Sequence, residues 1–333
     1  MSDSSSKKAL HVLSAKQFDR PFLESICELT DVIRRLDKTR EGLMYLKGLL
    51  SHHRSMLYFT QPSTRTFLSF QSACHILGIA SSEIRDSSTS SERKGESIND
   101  SLRTFSSYVD IIIMRTPVPG LCDKIARILD DTPRPVPIIN AGSGPDEHPT
   151  QALLDIYTLA RSFRKLGGID RKTILMVGDL KRGRTVRSLA RLLTLYDGVK
   201  LVFSSPKDFC ISDDLREFLV SKNVDFEETT EFRGCLSSAD AIYMTRVQDE
   251  YDIEGQGVVT NYEDYYLTFE CMDLVKPEAV IMHPMPRRKE IDPRIDDDLR
   301  AKYWRQERNG MWTRVALITK VLGADKNIIL PEL

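Results

Sequence analysis

Apolar positions along this chain follow two rhythms, and the rhythms alternate. In QFDRPFLESICELTDVIRRL, Phe22, Ile26, Leu29, Ile33 and Leu36 recur at helical spacing and predict an amphipathic helix. RSMLYF is a short unbroken apolar run and predicts a buried strand. RTFLSFQSACHILG then returns to helical spacing and is closed by Gly78. VDIIIMR and PVPIINAG are two more unbroken, β-branched runs, the kind a parallel sheet buries on both faces. The second half repeats the style. KTILMVGD predicts a strand, followed by a glycine-containing turn and the helix TVRSLARLLTLY. VKLVFSSP, ADAIYMTR and AVIMHPMP predict later strands.

Strand–helix alternation in both halves predicts an α/β chain of two domains, each a mainly parallel sheet flanked by helices. The 333 residues suit that number of domains. The expected division is a disordered tail at 1–10, a first domain at 11–150 and a second at 151–305. A C-terminal helix within 306–333 then returns to the first domain. Ligands of such sheets bind at the carboxyl ends of strands. The polar residues gather there: Ser63 after MLYF, Arg115 after IIIM, Asp179 after ILMVG, Arg246 after IYMT and His283 after VIM.

Charge narrows the partners. Lys and Arg total 47 against 48 Asp and Glu, a net charge of −1, so nothing global favours nucleic acid or a membrane surface. No apolar run is long enough to span a bilayer. The opening MSDSSSKKAL has no apolar signal core. The six cysteines form no CxxC pair and sit mostly among apolar residues, so buried free thiols are expected rather than a zinc site or disulfides. A cytoplasmic location fits these features.

The candidate chemistry is local. Ser63, Thr64, Arg65 and Thr66 stand where a strand runs into a helix. Helix-terminal N–H groups, hydroxyls and a guanidinium together suit a phosphate, although a plain N-cap would use the same residue types. SSTSSERKGES reads as an exposed polar loop carrying a lysine. GSGPDEHPTQALLD places His148 and Gln151 before a helical run; these could hold a carbonyl and an amide, or be structural. No HxxxH or HxxE spacing there supports a metal. GDLKRGRTVRSL has Gly178 and Gly183 but no GxGxxG, which argues against NAD. It is cationic instead. With Arg246 it would suit a substrate bearing two carboxylates, or supply surface ion pairs. In MHPMPRR two prolines frame Met285, where a cis bond would fix the loop's path.

PSTRT, KGES, MRTP, HPTQALLD, GDLKRGRTVRSL, TRVQ and HPMPR, in that order, resemble the aspartate and ornithine carbamoyltransferase family over roughly residues 10–323. HPTQALLD, GDLKRGRT and RVQ are similar to its aspartate branch; the ornithine branch would show His-Cys-Leu-Pro in place of HPMP. The resemblance implies transfer of a carbamoyl group from carbamoyl phosphate to L-aspartate, in pyrimidine synthesis, with no metal and no cofactor. It implies that Ser63, Thr64, Arg65 and Thr66 hold the phosphate, and that Arg115 bridges phosphate and carbonyl. His148 and Thr66 would polarise the carbonyl oxygen, and Gln151 would face the carbamoyl amide. Arg184 would hold the α-carboxylate of aspartate and Arg246 with Gln248 the β-carboxylate. Backbone carbonyls at Met285 and Pro286 would receive the amine. Ser90 and Lys94 would come from a neighbouring subunit of a homotrimer. Regulatory chains or dihydroorotase stay open as further partners. So do another amino acceptor and a non-catalytic scaffold role. Three positions depart from the family pattern: Gln61 and Tyr251 replace an acidic and a basic residue that help hold the domains closed, and Phe67 replaces an arginine.

Overall fold

The computed structural model describes residues 9–86, 95–144, 147–246 and 262–328. The chain divides into two compact units, Met1–Thr150 with Gly310–Leu333, and Gln151–Asn309. Strand and helix alternate in both, and every strand pairing within the two sheets is parallel.

The first unit holds α1 (Arg20–Leu36), α2 (Arg40–Leu49), β1 (Arg54–Phe59), α3 (Thr64–Ile76), β2 (Ala80–Ile84), α4 (Ile98–Ser106), β3 (Ile111–Thr116), α5 (Leu121–Asp130) and β4 (Ile138–Ser143). Helix α1 starts where the Asp19 carboxylate accepts the Phe22 N–H at 2.8 Å, with a proline in the first turn. Its buried face is not quite the predicted stripe. Leu23 and Thr30 turn inward with Ile26, Ile33 and Leu36, while Phe22 and Leu29 are half-buried. Phe22 stacks instead on Phe18, ring centroids 4.8 Å apart.

The first sheet runs β2-β1-β3-β4. Ile111, Ile112 and Ile113 are fully buried at its centre, each worth roughly 1.5–3 kcal/mol of burial. The strand order reverses direction between β1 and β3. Across that switch Phe59 pairs with Arg115, so the two strands end level.

The second unit holds most of α6 (Pro149–Ser162), then β5 (Thr173–Val177), α7 (Arg184–Leu193), β6 (Lys200–Ser204), α8 (Asp213–Ser221), β7 (Asp225–Thr229), the single turn α9 (Phe232–Cys235), β8 (Ala241–Met244), β9 (Val280–Met282) and the start of α10 (Tyr303–Val321). Its sheet runs β7-β6-β5-β8-β9 and reverses between β5 and β8, where Val177 pairs with Met244. The last turns of α10 belong to the first unit, where Arg314 donates to the Ser69 hydroxyl at 2.5 Å.

Residues 1–8 of the expected tail lie outside the described residues, and the Ala9 N–H donates to Asp130 at 3.3 Å. None of the six cysteines is in a disulfide. Cys74, Cys122 and Cys271 are buried as expected; Cys27, Cys210 and Cys235 are half-buried, which corrects the expectation for those three.

Candidate active site

Each switch point opens onto residues singled out from sequence. In the first unit, β1 leads through a short turn to Ser63, the N-cap of α3. Ser63 makes no capping hydrogen bond with its side chain, and the first turn of α3 carries no acid. The first N–H to bond back is that of Phe67, to the Ser63 carbonyl at 3.2 Å. The amides of residues 64–66 therefore have no helical acceptor, and the hydroxyl that a plain cap would spend on them is not spent. Thr64 and Arg65 are exposed and Thr66 is buried. Helix-terminal amides, three hydroxyl-bearing residues and an arginine thus stand together after one strand end, with no carboxylate in that turn to repel an anion.

Arg115 ends β3 across the switch. Its side chain is buried, and Nη1 donates to the Ala141 carbonyl at 3.2 Å. The Arg115 carbonyl accepts the N–H groups of Thr60 and Gln61 at 3.0 and 3.4 Å, which ties the β1 turn to the end of β3. Gly142, near the end of β4, has φ +114, and a Cβ there would lie 2.5 Å from Arg115 Nη1 and 3.3 Å from His148 Cδ2. His148 is also buried, and its Nδ1 lies 3.4 Å from the Thr150 hydroxyl. Its neighbour Glu147 accepts from the Ser14 hydroxyl and the Ala15 N–H, both at 2.7 Å. Gly142 was not singled out from sequence; the small pair Ala-Gly closing a strand was the available signal.

Two departures from the family pattern fall within the described residues. Phe67 packs edge-on against Phe59 at 5.4 Å, and the Arg85 guanidinium lies 4.5 Å above its ring. The buried Gln61 Oε1 has no hydrogen-bond partner among the described residues.

In the second unit the cationic stretch after β5 divides its labour. Arg182 turns back on buried Asp179, donating from Nε at 2.7 Å and from its backbone N–H at 3.1 Å, and its guanidinium lies over Phe209. Arg187 reaches the Ser212 hydroxyl at 3.0 Å and Asp214 at 3.3 Å. Arg184 is the first residue of α7, after Gly183, where a Cβ would lie 2.8 Å from the Asp179 carbonyl oxygen. Level with the end of β5 across the switch, β8 ends at Met244, followed by Thr245 and half-buried Arg246. The Thr245 hydroxyl donates to the Val177 carbonyl at 2.8 Å. Beside these strand ends is a cavity of about 320 Å³ lined by Gly178, Thr245, Tyr262, Tyr265, Tyr266 and Arg288, among others.

His283, after β9, is a fastener. The Met285 N–H donates to its Nδ1 at 2.8 Å, which leaves the proton on Nε2, 2.7 Å from Glu290. Burial lowers its pKa, against the pull of Glu290, and the Arg287 and Arg246 charges lower it further. The turn it braces contains a cis Met285–Pro286 bond, and Met285 has φ +54. Gln151 is buried one helical turn before Asp155 on α6. Asp155 is pushed up to about 7 by burial, against hydrogen bonds from Tyr243, Gln306 and Gln151.

Among the sequence candidates, Ser63, Thr64, Arg65, Thr66, Arg115 and His148 gather at the carboxyl edge of the first sheet. Arg184, Arg246, Met285 and Pro286 follow strand ends of the second. Ser90, Lys94 and Gln248 lie outside the described residues, as does Tyr251. Asp155, Tyr243 and Gln306 were not singled out; the i,i+4 spacing of Gln151 and Asp155 was their only trace. Among the described residues no group of three or more His, Cys, Asp or Glu side chains could hold a metal.

The aspartate/ornithine carbamoyltransferase carbamoyl-P binding domain matches residues 10–161, and the Asp/Orn binding domain of the same family matches residues 170–321. A chloroplastic aspartate carbamoyltransferase of Pisum sativum is 40% identical over 318 residues, covering 93% of this chain and 78% of the pea protein. The catalytic subunit of M. jannaschii aspartate transcarbamoylase superposes with a TM-score of 0.80 at 36% identity, covering 93% of this chain and 97% of that one. Aspartate transcarbamoylase from Trypanosoma cruzi, in complex with carbamoyl phosphate and aspartate, superposes with a TM-score of 0.83 at 32% identity, covering 93% and 96%. Both halves match one family across nearly the whole length, and the chain belongs to the aspartate/ornithine carbamoyltransferases.

Proposed function

We propose that this chain is an aspartate carbamoyltransferase, which moves the carbamoyl group of carbamoyl phosphate to the amine of L-aspartate and serves pyrimidine biosynthesis. The observation that carries the reading is the pairing of an anion-ready helix start at Ser63–Thr66 with buried Arg115 and His148 around Gly142. Relatives named as aspartate carbamoyltransferases support the choice of acceptor.

In this reading Ser63, Thr64, Arg65 and Thr66 hold the phosphate, and Arg115 reaches both a phosphate oxygen and the carbonyl. His148 and Thr66 donate to the carbonyl oxygen, and Gln151 accepts from the carbamoyl NH2. Arg184 pairs with the α-carboxylate of aspartate; Arg246 and Gln248 pair with the β-carboxylate. The aspartate amine, neutral and steadied by the Met285 and Pro286 carbonyls, attacks the carbonyl carbon. Negative charge builds on the carbonyl oxygen, where each preorganised donor contributes about 3 kcal/mol in comparable oxyanion sites. The bond from that carbon to the bridging phosphate oxygen then breaks, phosphate leaves with the electron pair, and it takes the amine proton. This route asks for no metal and no organic cofactor.

Ser90 and Lys94 act from a neighbouring chain, so the working form is a homotrimer with shared sites. The cysteines, buried or half-buried, suit a reducing compartment, and we assign the cytoplasm; the pea relative is named as chloroplastic. A colorimetric assay for carbamoyl-aspartate tests the reading. Product with aspartate as acceptor is expected. Product only with another amine, or none at all, would replace it.

A further inference from the structure

One buried carboxyl gathers three donors next to a residue of the proposed site. Asp155 is fully buried. Its Oδ1 accepts Nε2–H of Gln151 at 3.0 Å and Nε2–H of Gln306 at 2.7 Å. Its Oδ2 accepts the Tyr243 hydroxyl at 2.8 Å. Gln306 is held in turn, because its Oε1 accepts the His283 backbone N–H at 2.9 Å. The carboxylate is thus anchored from β8 and from α10 while it grips α6.

We propose that Asp155 is a positioning residue for carbamoyl transfer: its Oδ1 fixes which way round the Gln151 amide stands. This rests on the reading above, in which Gln151 meets the carbamoyl NH2. That nitrogen has only hydrogens to offer, so Gln151 must present oxygen. The two ends of a glutamine amide are alike in size, and shape alone does not choose between them. An amide turned by half a revolution would set N–H against N–H. An ionised carboxylate accepts and never donates. With Asp155 at one end, the nitrogen is drawn there and the oxygen becomes the far end of the planar group.

Charged and titratable neighbours bear on that grip. Tyr243 on β8 and Glu307 on α10 face the carboxyl, and Thr185 in the first turn of α7 bonds the Tyr243 hydroxyl. Burial and the Glu307 charge favour the neutral acid, the three hydrogen bonds favour the anion, and the balance falls at about 7. Loss of one donor therefore shifts the carboxyl toward the acid, which is a donor at one oxygen.

The test compares two ligands that differ in the amide. Equilibrium binding of carbamoyl phosphate and of inorganic phosphate is measured on the assembled protein. Asp155→Asn is expected to weaken carbamoyl phosphate roughly tenfold, the worth of one hydrogen bond made or opposed, and phosphate by less than about twofold. In a Gln151→Ala background the same change should cost carbamoyl phosphate less than about twofold, because the group it acts through is gone. Equal weakening of both ligands, no weakening of either, or the same loss in both backgrounds overturns the proposal. Tyr243→Phe is the second variant, needed if Asp155→Asn does not fold. It removes the Oδ2 donor alone. Its deficit in carbamoyl phosphate affinity should be largest just above about pH 7, between the carboxyl's values in the two proteins, and should shrink at higher pH, where the carboxyl is ionised in both. A deficit constant with pH, or none, counts against Asp155. If the unaltered protein binds carbamoyl phosphate but forms no carbamoyl-aspartate, the acceptor reading fails and this inference stands. If it binds no carbamoyl phosphate, both fall.

Discussion

Arg115 and Gly142 share a space that only a hydrogen atom can fill: a Cβ on Gly142 would lie 2.5 Å from Arg115 Nη1. The same Cβ would approach His148 Cδ2 at 3.3 Å, and the backbone there sits at φ +114, a region that L side chains rarely adopt. Gly142→Ala should therefore displace Arg115 and weaken carbamoyl phosphate by roughly tenfold or more, with about 1–3 kcal/mol of lost stability from the backbone alone. Binding calorimetry and urea unfolding read the two effects separately. Unchanged carbamoyl phosphate affinity in a folded variant would remove this contact from the site.

Arg65 is exposed and has no structural burden visible in its burial. Arg65→Ala should abolish measurable turnover with native circular dichroism, because the phosphate loses a charge-assisted contact. Wild-type affinity for carbamoyl phosphate in that variant would take Arg65 out of the phosphate site.

The arginines after β5 give an internal contrast. Arg184→Gln and Arg246→Ala should raise the KM for aspartate by roughly tenfold or more while leaving carbamoyl phosphate within about twofold, since each removes one carboxylate partner. Arg187→Ala, which loses Ser212 and Asp214, should lower Tm and leave the aspartate KM alone. Initial-rate kinetics on the three proteins decide. An aspartate effect only in Arg187→Ala would reverse the assignment.

Asp155 makes stability depend on pH in a stated direction. Its folded value, about 7, lies above its ordinary 3.8, so the native state keeps this proton longer than the unfolded chain does. The contribution is full below about pH 4, falls as pH rises toward 7, and is constant above that. Over the interval the loss is roughly 4 kcal/mol. Asp155→Asn lacks this dependence. Its stability relative to the unaltered protein should rise by that order between pH 4 and 8, as read by urea unfolding. A flat difference would mean that the carboxyl is ionised throughout.

Shared sites in a trimer predict rescue by mixing. Arg65→Ala and Lys94→Gln proteins, each inactive, are dissociated together and reassembled. Every mixed ring has one interface where the Lys94→Gln chain supplies Arg65 and the Arg65→Ala chain supplies Lys94. Random assembly then returns about a quarter of wild-type activity. No recovery, with exchange confirmed by mass, would place Lys94 in its own chain's site or in none.

The buried strands were legible because their residues are apolar on both faces. RSMLYF corresponds residue for residue to β1, and the runs around Ile111 and Ile138 became β3 and β4. The edge strands β2 and β7 were not foreseen. ASSEI and DFEET carry almost no apolar signal, since an edge facing water needs little. Of the five positions read for α1, Ile26, Ile33 and Leu36 are buried, whereas Phe22 and Leu29 are half-buried beside inward Leu23 and Thr30, and Phe22 packs on Phe18. At the site, residues that meet a ligand directly stood out by type and by position at strand ends. Gly142, Asp155 and Gln306 did not. Their roles come from distance in space: Asp155 and Gln306 are far apart in the chain, and no short stretch of sequence records that they touch.

Both sheets have ends, and an open β edge is a place where another chain can attach by its backbone. Here one border strand of each sheet carries a single bridge from elsewhere in the chain. Val12 bridges Ile139 on β4, and Ala301 bridges Ile281 on β9. The other two edges are β2, with Ser81, Ser82 and Glu83, and β7, with Asp225, Glu227 and Glu228. A strand from another molecule that docked there would have to strip water from these groups along its whole length. Among the described residues, growth of either sheet from molecule to molecule, the first step toward fibrils, is opposed at these borders by polar and charged side chains or by the chain's own bridge.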